Sequence, residues 1–131
     1  PIVVFLSRLH PKKGIESLLH AASAITKTHN VRFMIAGSGD LEYEQHLKKL
    51  SAELKLNNSV EFIGFVKGDR KTALLRAADL FVLPTSQENF GLVFPEAMAS
   101  GLPVITTKGV DIWLELEQSG GAIIIDGSDE Q

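Results

Sequence analysis

Six apolar runs of strand length, separated by longer segments of helical period, constrain the fold of this 131-residue chain more than any other feature. The runs are IVVFL (2–6), VRFMIAG (31–37), VEFIGF (60–65), LFVLP (80–84), PVITT (103–107) and AIIID (122–126). Several are continuously apolar and rich in β-branched residues, which suits parallel strands covered on both faces. Between them the spacing predicts helices at about 13–28, 41–54, 69–78, 91–100 and 111–118. Ile15, Leu18, Leu19, Ala22 and Ile25 recur at the period of one helical face. Asp40 fits an N-cap, and Gly101 fits a helix stop ahead of Pro103. Strict alternation of strand and helix implies right-handed crossovers and an α/β fold. The expectation is a doubly wound, Rossmann-like, six-stranded parallel sheet of order 3-2-1-4-5-6, with helices on both faces. Direction then reverses between strands 1 and 4, and ligands of open α/β sheets bind at such a reversal, beyond the C-terminal strand ends. The loops to watch are SRLHPKKG (7–14) and PTSQENFG (84–91).

Composition narrows the classes. The length fits one domain over 1–131, with enough chain for a core that needs no staples. There is no cysteine, so disulfides and thiolate metal sites are excluded, and the chain is compatible with a reducing, cytoplasmic setting. Net charge is −3 with scattered basic residues, which argues against nucleic acid as the main partner. No run approaches the ~20 apolar residues of a membrane helix. The start on Pro1, already next to a strand, and the polar end GSDEQ read as a piece of a longer protein.

The first loop places Arg8, Lys12, Lys13 and Gly14 just before a helix. Arginine offers a fork of donors to phosphate oxygens and lysine a mobile point charge. A helix start adds free amides and partial positive charge. This pattern suits a diphosphate, and it equally suits solvated cations flanking a turn. It is not a GxGxxG loop, and GSGD (37–40), after strand 2, is too short and misplaced for that motif. In the second loop Gly91 allows close backbone approach, and the amides of Phe90, Gly91 and Leu92 fall at or before a helix start. Pro95 fits a first helical turn, which sets Glu96 about one turn in and leaves Glu88 in the loop. Spread over loop and helix, the two carboxylates stand ~10 Å or more apart at ~1.5–3.3 Å per residue. That is a poor match to the ~5 Å pair of a retaining glycosidase. It suits carboxylates that accept hydrogen bonds from different parts of one long, hydroxyl-rich ligand. The alternative is a loop charge and a helix-dipole partner. Together the loops describe a diphosphate flanked by hydroxyls, as in a nucleotide-diphospho-sugar.

The ordered series SRLHPKKGIESLLHAA, VRFMIAGSGD, VEFIGFV and AADLFVLPTSQENFGLVFPEAMASGLPVITT resembles a known family over roughly residues 2–107. It is similar to the C-terminal, donor-binding half of GT-B-fold retaining glycosyltransferases of the glycosyltransferase family 4 type. The most specific element is E-x7-E, Glu88 to Glu96, within ENFGLVFPEAMASGLPV. The resemblance implies that Arg8 and Lys13 bind the donor diphosphate and stabilise the leaving group. Glu88 would hold hydroxyls of the transferred sugar, with the amides of Asn89, Phe90 and Gly91. The Leu92 amide would face a phosphate, Glu96 would take the ribose hydroxyls, and backbone at Phe65 and Val66 would border the base. It further implies a hexosyl transfer with retention of configuration and without a metal or other cofactor. The acceptor, a sugar, lipid or glycan, would be bound by an N-terminal domain absent from this chain. The same likeness allows peripheral membrane association of the full-length protein at the inner face of a membrane. Three departures stand out: Ser7 and Asn89 occupy positions where glycine is common, and after Thr107 the chain reads KGVDIWLELEQSGGAIII in place of a Gly-Gly-x-x-Glu stretch, so Asp111 and Glu115 take no role from the family.

Elsewhere the four histidines, His10, His20, His29 and His46, lack metal-ligand spacing. His10 is a candidate for phosphate contact or an ordinary loop residue. Trp113 reads as helix packing beside Ile112 and Leu116. Thr85 and Ser86 read as caps of the strand-4 turn, and Asp126, Asp129 and Glu130 as solvated tail. Two rival readings are a non-catalytic Rossmann-like nucleotide-binding or interaction domain and a nucleotide-sugar epimerase of the same architecture.

Overall fold

The computed structural model describes residues 1–85, 93–107, 118, 120 and 122–125. The order is β1 (Ile2–Leu6), α1 (Ile15–Ile25), β2 (Arg32–Ala36), α2 (Leu41–Glu53), β3 (Val60–Gly64), α3 (Asp69–Ala77), β4 (Leu80–Leu83), α4 (Val93–Ala99), β5 (Val104–Thr107) and β6 (Ala122–Ile125). A 3-10 turn at Pro11–Lys13 precedes α1. The expected helix at 111–118 falls outside the described residues except for Gln118, as do the proposed packing of Trp113, Asp111, Glu115 and the tail acids.

All six strands run parallel in the order β3-β2-β1-β4-β5-β6, as expected from the alternation. β1 is central because its residues have nowhere polar to face: Val4 and Phe5 are fully enclosed, as is Phe81 on β4. Ile15, Leu19 and Ala22 of α1 and Leu47 of α2 close over this core. At ~25 cal/mol per Å2 of apolar area, each of the larger side chains contributes roughly 1.5–3 kcal/mol and Ala22 less, which makes the β1–β4 region the anchor of the domain.

β1 and β4 are paired through Val3↔Leu80 and Val4↔Phe81. Polar contacts fasten the join at both ends. At the N-terminal end the Ile2 amide donates to Asp79 Oδ2 at 2.8 Å, and the Asp79 amide donates to the Ile2 carbonyl at 2.7 Å. At the C-terminal end the fully buried Thr85 hydroxyl donates to the Lys12 carbonyl at 2.9 Å. Thr107 Oγ1 donates in turn to the Thr85 carbonyl, and Thr106 Oγ1 to the Leu83 carbonyl at 2.8 Å. Thr85 therefore does more than cap its own turn. It pins the loop after β1 to the end of β4.

The loop ends pack closely enough to demand glycine at Gly14, Gly37 and Gly39; a Cβ on Gly39 would lie 2.2 Å from the Leu9 carbonyl oxygen. A Cβ on Gly14 would lie 2.0 Å from the Pro84 carbonyl oxygen. A Cβ on Gly37 would lie 1.8 Å from the Ser7 carbonyl oxygen. GSGD is thus a steric device that lets the loop after β2 pass against the loop after β1. α4 ends as the sequence suggests: Leu102 N donates to the Ala97 carbonyl at 3.1 Å and Gly101 N to the Met98 carbonyl at 3.0 Å, the paired bonds of a Schellman stop. Asp40 does sit at the N-cap of α2, but its side chain makes no capping bond; its carbonyl accepts from Glu44 N at 2.9 Å.

Candidate functional site

A crevice of about 590 Å3 opens over the C-terminal ends of β1, β2 and β3. The end of β1 supplies Leu6, Ser7 and Arg8, and the end of β2 supplies Gly37, Ser38 and Gly39. Phe65 and Val66 follow β3, Lys71 comes from the first turns of α3, and Glu96 comes from α4. The backbone dictates these positions. Parallel strands with helical crossovers send every strand-to-helix loop to the same sheet edge.

Arg8 is solvent-exposed on one wall. On the opposing elements Lys71 Nζ stands 2.7 Å from Glu96 Oε2, an ion pair between α3 and α4. Phe65 is 64 % exposed, an apolar plate left uncovered at the rim, while Val66 beside it is buried. The loop after β2 contributes the main chain of Gly37 and Gly39 and the exposed side chain of Ser38 to the lining. Arg8, the Lys71–Glu96 pair, the polar loop after β2 and an uncovered aromatic ring can together accept an anionic, hydroxyl-bearing ligand with a flat apolar end.

Of the residues singled out in the sequence, Arg8, Phe65, Val66 and Glu96 line this one crevice. Lys13 does not appear on its described wall; it closes the 3-10 turn, half-buried, with its amide donating to the His10 carbonyl at 2.9 Å. Glu88, Asn89, Phe90, Gly91 and Leu92 lie outside the described residues. His10 caps the 3-10 turn, its Nδ1 accepting from Lys12 N at 3.1 Å, so the ring is engaged in shaping the loop. Ser86 also lies outside the described residues. Lys71 was not anticipated. On a polar helix, in KGDRKTALLRAAD, it reads as one more solvated cation.

Away from the crevice, α1 and α2 are bracketed by polar contacts. Tyr43 donates its phenol to Glu16 Oε1 at 3.0 Å, and His46 Nε2 approaches Glu16 Oε2 at 3.4 Å. Burial first, and then the hydrogen bond and charge of Glu16, push the Tyr43 phenol above its ordinary range, so it remains a donor. Among the described residues no cluster of three or more His, Asp or Glu could hold a metal ion, and no helix is long and apolar enough to cross a membrane.

An open, all-parallel sheet of order β3-β2-β1-β4-β5-β6 with a crevice at its C-terminal edge defines a Rossmann-like α/β domain. Residues 1–131 match the family described as Glycosyl transferases group 1, and the chain belongs to that family. It is 42 % identical over 107 residues to an uncharacterized glycosyltransferase of Methanocaldococcus jannaschii, a match covering 82 % of this chain and 27 % of that protein. Its fold is similar to Anabaena HepE in complex with UDP-glucose, with a TM-score of 0.85 and 29 % identity, covering 95 % of this chain and 34 % of that one. It is also similar to the C-terminal domain of the group 1 glycosyl transferase LpcC of Francisella tularensis, with a TM-score of 0.85 and 26 % identity, covering 99 % of this chain and 70 % of that domain. The chain thus spans about a third or less of the length of the M. jannaschii relative and of HepE.

Proposed function

We propose that this chain is the nucleotide-sugar-binding domain, forming the C-terminal half, of a glycosyltransferase that moves a hexosyl group from a nucleotide-diphospho-sugar to a sugar, lipid or glycan acceptor. The observation that carries this reading is the convergence of Arg8 and Glu96 on one crevice, although 88 positions of sequence separate them. Binding of UDP-glucose by HepE and the LpcC likeness to a C-terminal domain support it. In the reaction the bond from the sugar C1 to the β-phosphate oxygen breaks, C1 bonds to the acceptor oxygen, and the acceptor hydroxyl's proton passes to the departing diphosphate. Negative charge builds up on the departing diphosphate. Arg8, with Lys13 in the same loop, offsets that charge by charge-assisted hydrogen bonds, with no metal required. Glu96 accepts the ribose hydroxyls, Phe65 and Val66 border the base, and the stretch from Glu88 to Leu92 holds the sugar and a phosphate. Transfer proceeds with retention at C1. The acceptor is held by an N-terminal domain, so the isolated chain binds donor but does not transfer sugar. The setting is cytoplasmic, with peripheral membrane association available to the full-length protein.

Titrating the chain with UDP, GDP and ADP while following calorimetric heat tests this. Saturable binding of at least one of them, weakened by Arg8→Ala, is the expected result. Absence of heat with all three at millimolar concentration overturns the reading.

A further inference from the structure

The Lys71–Glu96 ion pair is the feature of the crevice that neither the sequence pattern nor the fold requires. It joins α3 to α4 across the crevice wall, with Nζ 2.7 Å from Oε2. Both side chains keep contact with solvent, at 29 % and 40 % exposure. A pair this exposed contributes little to stability, because water screens it and two long side chains lose rotamer freedom to form it. Its geometric consequence is larger. A glutamate on a helix surface samples several rotamers. An ammonium fixed on one oxygen restricts that sampling and leaves the carboxylate's remaining lone pairs for other donors. Two vicinal hydroxyls, each donating once, match what is left.

We propose that Lys71 is a positioning residue that holds Glu96 in the orientation that reads a vicinal diol, and that preference for a ribonucleotide over its 2′-deoxy counterpart at this crevice depends on Lys71. The proposal rests on the function proposed above, in which Glu96 takes the ribose hydroxyls. Lys71 makes this discrimination possible without itself being the group that meets both hydroxyls.

The test compares the tightest-binding of UDP, GDP and ADP with its 2′-deoxy form, by calorimetry, on the 131-residue chain. The wild type is expected to favour the ribonucleotide by about tenfold, the effect of one hydrogen bond to a charged group. Lys71→Met should shrink that ratio to about threefold or less, with the loss falling mainly on the ribonucleotide. Lys71→Arg, which can still hold the carboxylate, should keep most of the preference. In a Glu96→Gln background, Lys71→Met should change little, because the two residues act as one unit. A Lys71→Met variant with full ribose preference overturns the proposal. So does one that loses ribo and deoxy binding equally, and so does one that binds the ribonucleotide more tightly, which would make the pair an occluding latch. A wild type that binds no nucleotide at all defeats the functional reading itself; the other outcomes leave that reading standing.

Discussion

The Thr85 hydroxyl donates to the Lys12 carbonyl at 2.9 Å across a sequence separation of 73 residues. Thr107 donates to the carbonyl of the same Thr85, so β5, β4 and the loop that carries Arg8 are joined by consecutive threonine contacts. The loop after β1 is therefore held by the neighbouring half of the sheet, and not only by the strand it leaves. Arg8 inherits its position from that attachment.

Thr85→Val keeps the shape of the side chain and removes its donor, so the buried bond to the Lys12 carbonyl is lost. A loss of about 1–3 kcal/mol is expected in denaturant unfolding, with most of it recovered by Thr85→Ser. Because the attachment fixes the loop bearing Arg8, nucleotide affinity should fall as well. Unchanged affinity in Thr85→Val would detach the threonine relay from the site.

Gly37→Ala brings a Cβ to 1.8 Å from the Ser7 carbonyl oxygen, at φ +143°, where an L side chain is already strained. Neither backbone can yield without moving the crevice floor. The expected cost is about 2 kcal/mol or more by chemical denaturation. A near-neutral midpoint would show that the two loops can separate freely.

Arg8→Ala should weaken nucleoside diphosphate binding by about tenfold or more, the scale of one lost charge-assisted hydrogen bond. Affinity of the wild type should also decline with added salt, and this dependence should be shallower in the variant. Equal salt dependence in both proteins would place the phosphate elsewhere.

Tyr43→Phe removes the phenol that bridges α2 to Glu16 on α1. This contact is partly solvated, so stability should fall by only about 0.5–1.5 kcal/mol, read from the unfolding midpoint. Nucleotide binding should be untouched, since Tyr43 lies away from the crevice.

Strand positions and their order were legible in the sequence because the signal is local. IVVFL forms β1 from Ile2 to Leu6, and the other strands fall within the expected runs. Helix ends were legible where a local stop exists, as at Gly101, and shifted where it does not: α1 ends at Ile25, three positions short of the expected end. The meeting of Arg8 and Glu96 followed from topology, and the place of Phe65 and Val66 beside them from the family resemblance. Three things followed from neither. Thr85 finds its acceptor through folding, and no spacing rule links it to Lys12. Gly37 matters because of a backbone that arrives from another loop. Lys71 is distinguished from its neighbours on α3 only by the carboxylate that α4 places before it. Each depends on distance in space between segments remote along the chain.

β1 and β4 share two paired positions, Val3↔Leu80 and Val4↔Phe81, whereas β1 and β2 share five. The crevice takes Arg8 from one side of this narrow seam and Glu96 from the other. A nascent chain that has folded only through β3 would possess the cation without its counterpart. Nucleotide occupancy would then serve as a certificate of completed assembly, and a saturating ligand should clamp the seam, raising the melting temperature in step with its concentration.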